Sequence, residues 1–450
     1  MVARVVIAAP GSGHGKTTIA AGLMAALRTA GHAVSGHKVG PDFIDPSYHS
    51  LATGRPARNL DPFLQGEETL VPLLRHGSAG ADIAVIEGVM GLFDGALGTE
   101  GYASTAHVAR LLDAPVVLVV DASAASRSVA ATVLGFAQYD TRVRLAGVIL
   151  NKLGSQRHED EIVTALEATG VPLLGALRRN ENVHAPSRHL GLVPAAERAA
   201  ESQRMLPELA AWVAAGVDLE AVVRVARSAP ALTGPLWNPG PAFEGPRATL
   251  AAAGGPAFTF RYAENLELLA ARGIDVVDIN PLQDKALPPG CAGLYFGGGF
   301  PEVHAAELSS NVELRTAVSA AIDAGMPVSA ECAGLLYLCR SLDGLPMVGA
   351  VPADATMTAR GKLGYRRAVA VADNVLAAAG QRVTGHEFHR TEIAPAHGET
   401  AAWGWDRNLD GFASESLHAS YLHVHWAGHP ELADRFASRV RAHSLAAVHG

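Results

Sequence analysis

Short apolar runs alternate with amphipathic stretches along the first half of the chain. The predicted strands lie at about 5–8, 33–38, 83–87, 116–120 and 145–150. The predicted helices between them lie at about 16–30, 104–112 and 126–138. Apolar strands joined by helices are typical of a parallel sheet that is buried on both faces. Because such sheets bind ligands at the carboxyl ends of their strands, we expect the chemistry of this half at those ends.

A proline-rich segment at 229–246 separates this series from a second one. Proline removes a backbone donor and restricts φ, so this segment is predicted to be a linker. After it, strands are predicted at 258–260, 276–279, 293–296 and 328–330, with helices at 263–271 and 302–324. The whole chain is therefore predicted to be α/β, with domains at 1–228 and 247–440.

Composition narrows the class of protein. The chain has 450 residues, 49% hydrophobic and 18% charged, which is enough for two or three globular domains. A net charge of -8 without a basic cluster argues against nucleic acid as a partner. We find no apolar run long enough to span a membrane and no amino-terminal targeting signal, so a cytoplasmic protein without a membrane anchor is expected. Three cysteines are too few for a disulfide framework.

Residues 9–18, Ala-Pro-Gly-Ser-Gly-His-Gly-Lys-Thr-Thr, follow a predicted strand and open a predicted helix. This is the context of a phosphate loop, in which backbone amides surround phosphate oxygens. Lys16 would add a positive charge, and the Thr17 hydroxyl could hold Mg²⁺. Pro10 replaces the first glycine of the strict pattern, so the loop is a variant. The predicted nucleotide-binding residues are Gly11, Gly13, Gly15, Lys16, Thr17 and Thr18.

Two acidic clusters end strands at the same predicted sheet edge. Residues 38–46 contain Asp42 and Asp45, and residues 87–95 contain Glu87 and Asp94. Carboxylates there can bind Mg²⁺ or position an acid substrate for phosphorylation. Helix capping or turn formation is the alternative, above all for Asp42.

Cys332 lies where an apolar strand meets a helix, in the segment Ser-Ala-Glu-Cys-Ala-Gly-Leu. First-turn amides and the positive helix end are expected to stabilise its thiolate and favour nucleophilic attack. The glycine turn at 297–299 closes another strand, and its amides can face an oxyanion, for which Gly298 and Gly299 are the candidates. A buried structural cysteine is the alternative, and it fits Cys291 and Cys339 well.

Two histidines on a late predicted strand are candidates for the base that activates the thiol. Alternation places His423 and His425 on the same strand face, so the sequence does not choose between them. Surface histidines and a metal site that also uses His386 and His389 are the alternatives.

Taken in order, these motifs resemble one family over nearly the whole chain, the cobyrinate or hydrogenobyrinate a,c-diamide synthases of cobalamin biosynthesis. The motifs are the phosphate loop, residues 38–46, residues 87–95, the glycine turn with Phe300-Pro301-Glu302, residues 331–335 and the segment at 385–389. The resemblance implies a dethiobiotin-synthetase-like P-loop domain, followed by a class I glutamine amidotransferase-like domain that lacks the usual acidic third member.

The resemblance also implies roles for individual residues. Glutamine would be hydrolysed at Cys332 with His423 as base, and the ammonia would travel to the ATP domain. There the a and c acetates of a corrin acid would be phosphorylated and amidated in turn, with ATP as cosubstrate and Mg²⁺ as cofactor. The implied metal ligands are Thr17, Asp45 and Glu87, and the residues implied to position or activate the substrate are Asp42 and Asp94.

Three residues depart from the family pattern: His14 in the phosphate loop, Phe43 where tyrosine is frequent, and Ala333 where glycine is frequent. The cobalt content of the ring, the order of the two amidations and the path of ammonia stay open. Symmetry statistics favour a homodimer. The alternatives are amidation of another acid, such as nickel-sirohydrochlorin or a cell-wall lipid acid, and a non-catalytic P-loop regulator or metal-insertion chaperone.

Overall fold

The computed structural model describes residues 2–180, 187–188, 191–192 and 199–449. The chain forms two compact units, one made of Met1–Pro62 and Gly66–Trp237, and the other of Phe63–Gln65 and Asn238–Gly450. The change at 237–238 falls within the proline-rich segment, which carries no described helix or strand between 230 and 246. The domain limits at 228 and 247 remain predictions.

The part of the chain before Asn238 contains the following elements among the described residues. Its strands are β1 (Ala3–Ala8), β2 (Val34–Val39), β3 (Arg58–Leu60), β4 (Ile83–Glu87), β5 (Val116–Asp121), β6 (Leu145–Leu153), β7 (Leu173–Arg178), β8 (Ser187–Arg188) and β9 (Gly191–Leu192). Its helices are α1 (Lys16–Thr29), α2 (Ile44–Thr53), α3 (Pro62–Gln65), α4 (Glu67–Gly77), α5 (Thr105–Leu111), α6 (Ser128–Tyr139), α7 (Gln156–Glu167), α8 (Ala199–Gly216) and α9 (Leu219–Arg227).

The main sheet of the first unit is parallel, as predicted. Its seven strands run in the order β3-β2-β4-β1-β5-β6-β7. The inner strands are apolar and buried along most of their length, because helices cover both faces of the sheet. β1 pairs with β4 and β4 with β2, so the carboxyl ends of these three strands meet at one edge. That edge holds the phosphate loop and the residues that follow β2 and β4.

The second unit contains thirteen strands and five α-helices within the described residues. Its strands are β10 (Ala248–Ala253), β11 (Ile274–Ile279), β12 (Cys291–Phe296), β13 (Val328–Glu331), β14 (Cys339–Leu342), β15 (Leu345–Pro346), β16 (Val351–Ala370), β17 (Arg382–Ala394), β18 (Trp403–Trp405), β19 (Asn408–Asp410), β20 (Phe412–Ala413), β21 (Leu417–Ser420) and β22 (His423–Val424). Its helices are α10 (Ala263–Ala271), α11 (Ala305–Ser310), α12 (Val312–Asp323), α13 (Ala333–Leu338) and α14 (Pro430–His449).

Two sheets organise this unit. The first runs β11-β10-β12-β13-β21-β20 and is parallel except for the last pair. The second is built on the long antiparallel pair β16 and β17, and β22 joins it at β17. A buried apolar cluster that includes Leu294, Phe296 and Leu335 packs around the β13 to α13 connection. The α/β prediction is confirmed, while the β16 to β17 pair was not predicted.

Two sequence predictions in this unit were wrong. The strand expected at 258–260 is only an isolated bridge between Phe260 and Gly298. The long helix expected at 302–324 is divided at Asn311, whose Nδ2 donates to the Pro281 and Asp284 carbonyls at 2.8 Å each. Because these bonds fix Asn311 at ψ 68°, the helix ends and restarts there.

Within the described residues, we find no helix with the length and apolar character needed to cross a membrane.

Candidate active sites

The phosphate loop joins β1 to α1 and is held by the neighbouring strand ends. Gly13 and Gly15 have φ of 84° and 87°, a region that favours glycine. A side chain at Gly15 would place Cβ 2.3 Å from Asn151 Nδ2. That amide donates to the His14 carbonyl at 2.9 Å, and Lys152 Nζ donates to the Gly13 carbonyl at 2.9 Å. The loop geometry is therefore fixed by residues near the carboxyl end of β6.

The structure gives a reason for His14, one of the three departures from the family pattern. Its Nδ1 accepts the Asp121 backbone N–H at 2.9 Å, which ties the loop to the end of β5. Burial lowers the pKa of His14, which keeps the ring neutral and Nδ1 able to accept.

Lys16 and Thr17 begin α1 and face the end of β4. Lys16 Nζ donates to the Met90 carbonyl at 2.7 Å, and Thr17 Oγ1 donates to Glu87 Oε1 at 2.6 Å. Burial, reinforced by the Lys38 charge, lowers the pKa of Lys16 to about 8. The Lys16 ammonium therefore loses its proton as pH rises through about 8.

A buried charge cluster lies at the carboxyl ends of β2 and β4. Lys38 Nζ donates to Asp45 Oδ2 at 2.6 Å, to Glu87 Oε1 at 2.9 Å and to the Gly88 carbonyl at 3.0 Å. His49 Nε2 lies 2.7 Å from Glu87 Oε2. Sequence reasoning did not select Lys38 or His49 as site residues. The position of Lys38 at the end of a predicted strand was an available signal, whereas His49 inside α2 had none.

The charges in this cluster shift each other's pKa values. Burial alone would lower the pKa of Lys38, but Asp45 and Glu87 raise it above its ordinary value. Burial opposes ionisation of Glu87, yet Lys38 and His49 hold its pKa below the usual range. Burial, together with Asp42 and Glu87, raises the pKa of Asp45. Asp45 is therefore the first carboxyl of the cluster to take up a proton.

The predicted metal ligands come together in the structure. Thr17 Oγ1 lies 2.6 Å from Glu87 Oε1 and 3.3 Å from Asp45 Oδ2. Mg²⁺ prefers oxygen ligands and is commonly held by one or two carboxylates together with substrate phosphates. One hydroxyl and two carboxylates fit that requirement. Among the residues that the structure describes, no set of three or more His, Cys, Asp or Glu could hold a metal, so the alternative histidine site at 386–425 is not found there.

Asp42 and Asp94 lie at the same edge of the sheet and accept local backbone hydrogen bonds. Asp42 Oδ1 accepts the N–H groups of Ile44 at 2.7 Å and Asp45 at 3.3 Å, at the start of α2. Asp94 Oδ2 accepts the Gly91 N–H at 2.9 Å. These are the capping and turn contacts of the alternative interpretation, and a role toward substrate stays a prediction for both.

In the second unit, Cys332 occupies a strained turn between β13 and α13. Its φ is 49°, an uncommon value for a residue with a side chain, and strain of this kind is concentrated at functional sites. The Cys332 N–H donates to the Ser420 carbonyl at 2.8 Å, and the Gly334 N–H donates to the Gly297 carbonyl at 3.1 Å. These bonds hold the turn between β21 and the glycine turn.

The ionisation state of Cys332 differs from the sequence expectation. The side chain is 4% exposed, and burial, followed by the nearby Glu302 charge, raises the pKa of the thiol well above its ordinary value. The Ala333 N–H bond to the sulfur acts in the opposite direction and is weaker. Because α13 has only six residues, its positive end does not overcome desolvation. The resting group is a neutral thiol.

The glycine turn at 297–299 lies beside this cysteine turn. A Cβ at Gly299 would lie 2.0 Å from the Ala257 carbonyl oxygen, and one at Gly298 would lie 2.5 Å from His423 Cε1. These distances leave no room for a side chain at Gly298 or Gly299. The Gly298 N–H already donates to the Phe260 carbonyl at 3.1 Å, so an oxyanion would compete for it. The oxyanion role of Gly298 and Gly299 remains a prediction.

His423 and His425 have different surroundings. His423 pairs with His386 across β22 and β17, and its Nδ1 lies 3.9 Å from Glu331 Oε2, next to Cys332 in the chain. Burial lowers the pKa of His423 to about 3, so the ring is neutral and able to accept a proton.

The partners of His425 lie elsewhere in the second unit. His425 Nε2 lies 2.8 Å from Gln65 Nε2 and 3.5 Å from Glu264 Oε2, and its ring packs 4.1 Å from Tyr262. The proximity of His423 to Glu331, the residue before Cys332, favours His423 as the base.

Comparisons with known proteins match both halves of the chain. Residues 5–193 match the model of the CobQ/CobB/MinD/ParA nucleotide binding domain. Residues 249–431 match the model of the CobB/CobQ-like glutamine amidotransferase domain. The order of the two matches agrees with the order of the phosphate loop and the cysteine turn.

Relatives that match nearly the whole chain include proteins named as a,c-diamide synthases. The chain is 54% identical to the hydrogenobyrinate a,c-diamide synthase of Streptomyces coelicolor, covering 98% of each chain. It is 57% identical to the enzyme of the same name from Thermobifida fusca, covering 97% of this chain and 96% of that one. Identity to the cobyrinate a,c-diamide synthase of a Synechococcus strain is 41%, covering 96% of this chain and 97% of the relative.

Proposed function

Because the chain belongs to the cobyrinate and hydrogenobyrinate a,c-diamide synthase family and is a glutamine-hydrolysing ligase, we propose that it amidates the a and c acetates of hydrogenobyrinic acid. The metal-free ring is preferred in this proposal because two hydrogenobyrinate-named relatives are 54% and 57% identical, against 41% for a cobyrinate-named one. The two-step chemistry is supported by the presence of two candidate sites in one chain. One is a phosphate loop beside buried carboxylates, and the other is a strained cysteine turn beside a neutral histidine.

The first step activates the substrate acid. A carboxylate is a poor electrophile because its leaving group would be oxide, whereas an acyl phosphate releases phosphate. The substrate carboxylate oxygen would attack the γ-phosphorus of ATP, and ADP would leave. Lys16 would bind phosphate oxygens, and Asp42 and Asp94 would position the acid. Thr17, Asp45 and Glu87 would hold Mg²⁺, which when bound neutralises charge on the phosphates.

Lys38 has a supporting role in this step. Its ammonium keeps Glu87 ionised and holds the two carboxylates together, because Lys38 Nζ lies 2.6 Å from Asp45 Oδ2 and 2.9 Å from Glu87 Oε1. The pair of carboxylates is therefore oriented before a nucleotide binds, which lowers the cost of assembling the site.

The second unit would supply the ammonia. Cys332 Sγ would attack the carboxamide carbon of glutamine while His423 takes the thiol proton and gives it to the departing ammonia. Water would then hydrolyse the thioester, giving glutamate and the free thiol. Ammonia would attack the acyl phosphate, forming the amide and releasing phosphate.

The test is mass spectrometry of parallel incubations with hydrogenobyrinic acid and cobyrinic acid, each with Mg-ATP and glutamine. We expect two acid-to-amide conversions on hydrogenobyrinic acid, each accompanied by one ADP. Diamide from cobyrinic acid alone would overturn the ring preference. The absence of amide from both rings would overturn the substrate proposal and leave another acid, such as nickel-sirohydrochlorin.

Cysteine variants separate the two half-reactions. Cys332→Ala should abolish glutamine-driven amidation and leave ammonia-driven amidation intact. Cys339→Ala is the matched control, because Cys339 is a second buried cysteine that begins β14 and is outside the turn. Equal losses with both nitrogen sources in Cys332→Ala would contradict the nucleophile assignment.

A further inference from the structure

The residue that precedes Cys332 places a buried carboxyl group against His423. Glu331 ends β13 and is 3% exposed. Its Oε2 lies 3.9 Å from His423 Nδ1, and the Val424 N–H donates to the same carboxyl group. Within the described residues, Glu331 Oε1 has no hydrogen-bond partner. A buried carboxyl with an unused oxygen is costly to keep unless another interaction compensates it.

Two histidines in the described part of the chain also face His423, and both are bases. His386, on β17, stacks on His423 with ring centroids 4.9 Å apart, and His389, on the same strand, also lowers the His423 pKa. Glu331 is therefore the acidic group at Nδ1. The titratable groups that face Glu331 are His423, Cys332 and Tyr295, and the Tyr295 ring lies on β12.

We propose that Glu331 is the acidic positioning residue of the glutamine-hydrolysing site, holding His423 through Nδ1 so that Nε2 serves the Cys332 thiol. The inference rests on the proposed roles of Cys332 and His423. It places the acid on the residue directly before the nucleophile. The sequence resemblance had implied a cysteine and histidine pair without an acidic third member.

The proton balance follows from the three groups. In the active form Glu331 is ionised, Nδ1 of His423 carries the ring proton and Nε2 is free. Attack by Cys332 forms the carbon–sulfur bond as the thiol proton moves to Nε2. The imidazolium is then paired with the Glu331 carboxylate until Nε2 gives its proton to the ammonia that leaves.

Burial gives this arrangement a pH signature. Desolvation raises the pKa of Glu331 to about 8, so below that pH most of the carboxyl groups in the free protein carry a proton. Loss of that proton to solvent forms the active state. The kcat/KM for glutamine should therefore rise as pH passes through about 8, because kcat/KM reports groups of the free enzyme.

The experiment compares Glu331→Gln with Glu264→Gln in the full-length protein. Glu264 is a matched control: it is also fully buried, and it lies 3.5 Å from His425 instead of His423. In Glu331→Gln we expect kcat for glutamine hydrolysis to fall by roughly 100-fold or more, the lower range of a proton-transfer contribution. The KM for glutamine should change little, the rise near pH 8 should disappear, and ammonia-driven amidation should remain.

A conservative variant guards against a purely structural effect. Glu331→Asp keeps the carboxylate, and we expect it to recover part of kcat and the rise with pH. If Glu331→Gln also loses ammonia-driven amidation, the comparison moves to Glu331→Asp, where a flat pH profile would overturn the proposal.

The two proposals fail in different ways. Normal glutamine-driven turnover in Cys332→Ala would remove the proposed nucleophile itself. The expected loss in Cys332→Ala, combined with wild-type kcat and pH profile in Glu331→Gln, would overturn only the positioning role of Glu331. A loss in Glu264→Gln as large as that in Glu331→Gln would also overturn it.

Discussion

Two lysines at the edge of one sheet show how local charge decides ionisation. Lys16 and Lys38 are both surrounded by protein, but only Lys38 has two carboxylates within 3 Å. Burial and the Lys38 charge lower the pKa of Lys16 to about 8, while Asp45 and Glu87 raise that of Lys38. Lys38 therefore stays charged, whereas the charge of Lys16 depends on pH and can be stabilised by a bound phosphate.

The pKa of Lys16 predicts how nucleotide affinity depends on pH. Lys16 is charged below about pH 8 and neutral above it, so Mg-ATP should bind more weakly as pH rises past that value. The loss should be at most roughly tenfold per pH unit, the limit for one proton linked to binding. Calorimetric titration between pH 6.5 and about 9.5 measures it.

Lys16→Arg is the control for that titration, because arginine stays charged throughout the range. Its affinity should not change near pH 8. An unchanged affinity of the wild-type protein across the same range would contradict the assignment of Lys16 as a phosphate ligand.

Removal of Lys38 should destabilise the first unit. Lys38→Met leaves Asp45 and Glu87 buried without their cation, and losing one partner of a buried ion pair costs about 3–5 kcal/mol of unfolding free energy. Without Lys38 the folded pKa of Glu87 should rise above its unfolded value, and that of Asp45, which burial already raises, should rise further. The loss of unfolding free energy should therefore be largest at neutral pH and become smaller as pH falls below roughly 4–5. Urea denaturation measures the loss of unfolding free energy, and hydrogen exchange of the β4 amides then locates it in the first unit.

Lys152→Met provides the comparison for this variant. Lys152 Nζ lies 2.6 Å from Asp121 Oδ2, but its side chain is 37% exposed. A solvent-exposed pair contributes at most about 1 kcal/mol. Equal destabilisation by the two variants would show that the buried Lys38 ion pairs contribute no more to stability than the exposed Lys152 pair.

At the scale of elements, each site is the connection between a strand and the helix that follows it. In the second unit that connection is β13 to α13, where the chain reverses through Cys332 and α13 packs closely on β12. The close packing depends on Gly334, since a Cβ there would lie 2.4 Å from the Phe296 carbonyl oxygen. The near atoms include the Phe296 backbone, which cannot move aside as a flexible side chain can.

The packing at Gly334 predicts opposite effects for two glycine substitutions. Gly334→Ala should displace α13, lower glutamine-driven turnover and reduce the stability of the second unit. Gly135→Ala in α6 has no atom within 4 Å of the new Cβ and should stabilise its helix by roughly 0.5–1 kcal/mol. Thermal unfolding and glutaminase assays measure both. A neutral Gly334→Ala would mean that the α13 turn tolerates backbone movement.

At the scale of the whole molecule, the chemistry is divided between two compact units. The first carries the phosphate loop with Asp45 and Glu87, and the second carries Cys332 with His423. Each unit has its own sheets and its own buried core. This division predicts that each substrate protects its own set of backbone amides.

Hydrogen exchange on the intact protein tests the division. Mg-ADP should slow exchange at 10–18 and 87–95, and a covalent glutamine analogue should slow exchange at 297–299 and 331–338. Cys332→Ala, which cannot form the covalent adduct, is the control for the second set. Protection of 297–299 by Mg-ADP without any at 10–18 would contradict the assignment of ligands to units.

The local pattern of the sequence was enough to identify the fold class and to select candidate residues for both sites. Apolar runs predicted the inner strands of the first unit because buried parallel strands are continuous in hydrophobicity. The loop from Gly11 to Thr17 and the turn at Cys332 were recognisable because both depend on residues that are adjacent in the chain. The edge strands β3 and β7 and the long pair β16 and β17 lacked such a signal and were missed. The inner strand β10 was also missed.

Only the tertiary structure decided which distant groups meet and what charge they carry. Lys38, Asp45 and Glu87 belong to separate elements, and their contact follows from the strand order. Alternation predicted one strand face for His423 and His425, but β22 ends at Val424, and Glu331 approaches His423, at 3.9 Å. The neutral thiol of Cys332 likewise results from burial, which a short helix cannot offset. Sequence determines bonding between neighbours along the chain, whereas desolvation and Coulomb interactions depend on distances that only folding sets.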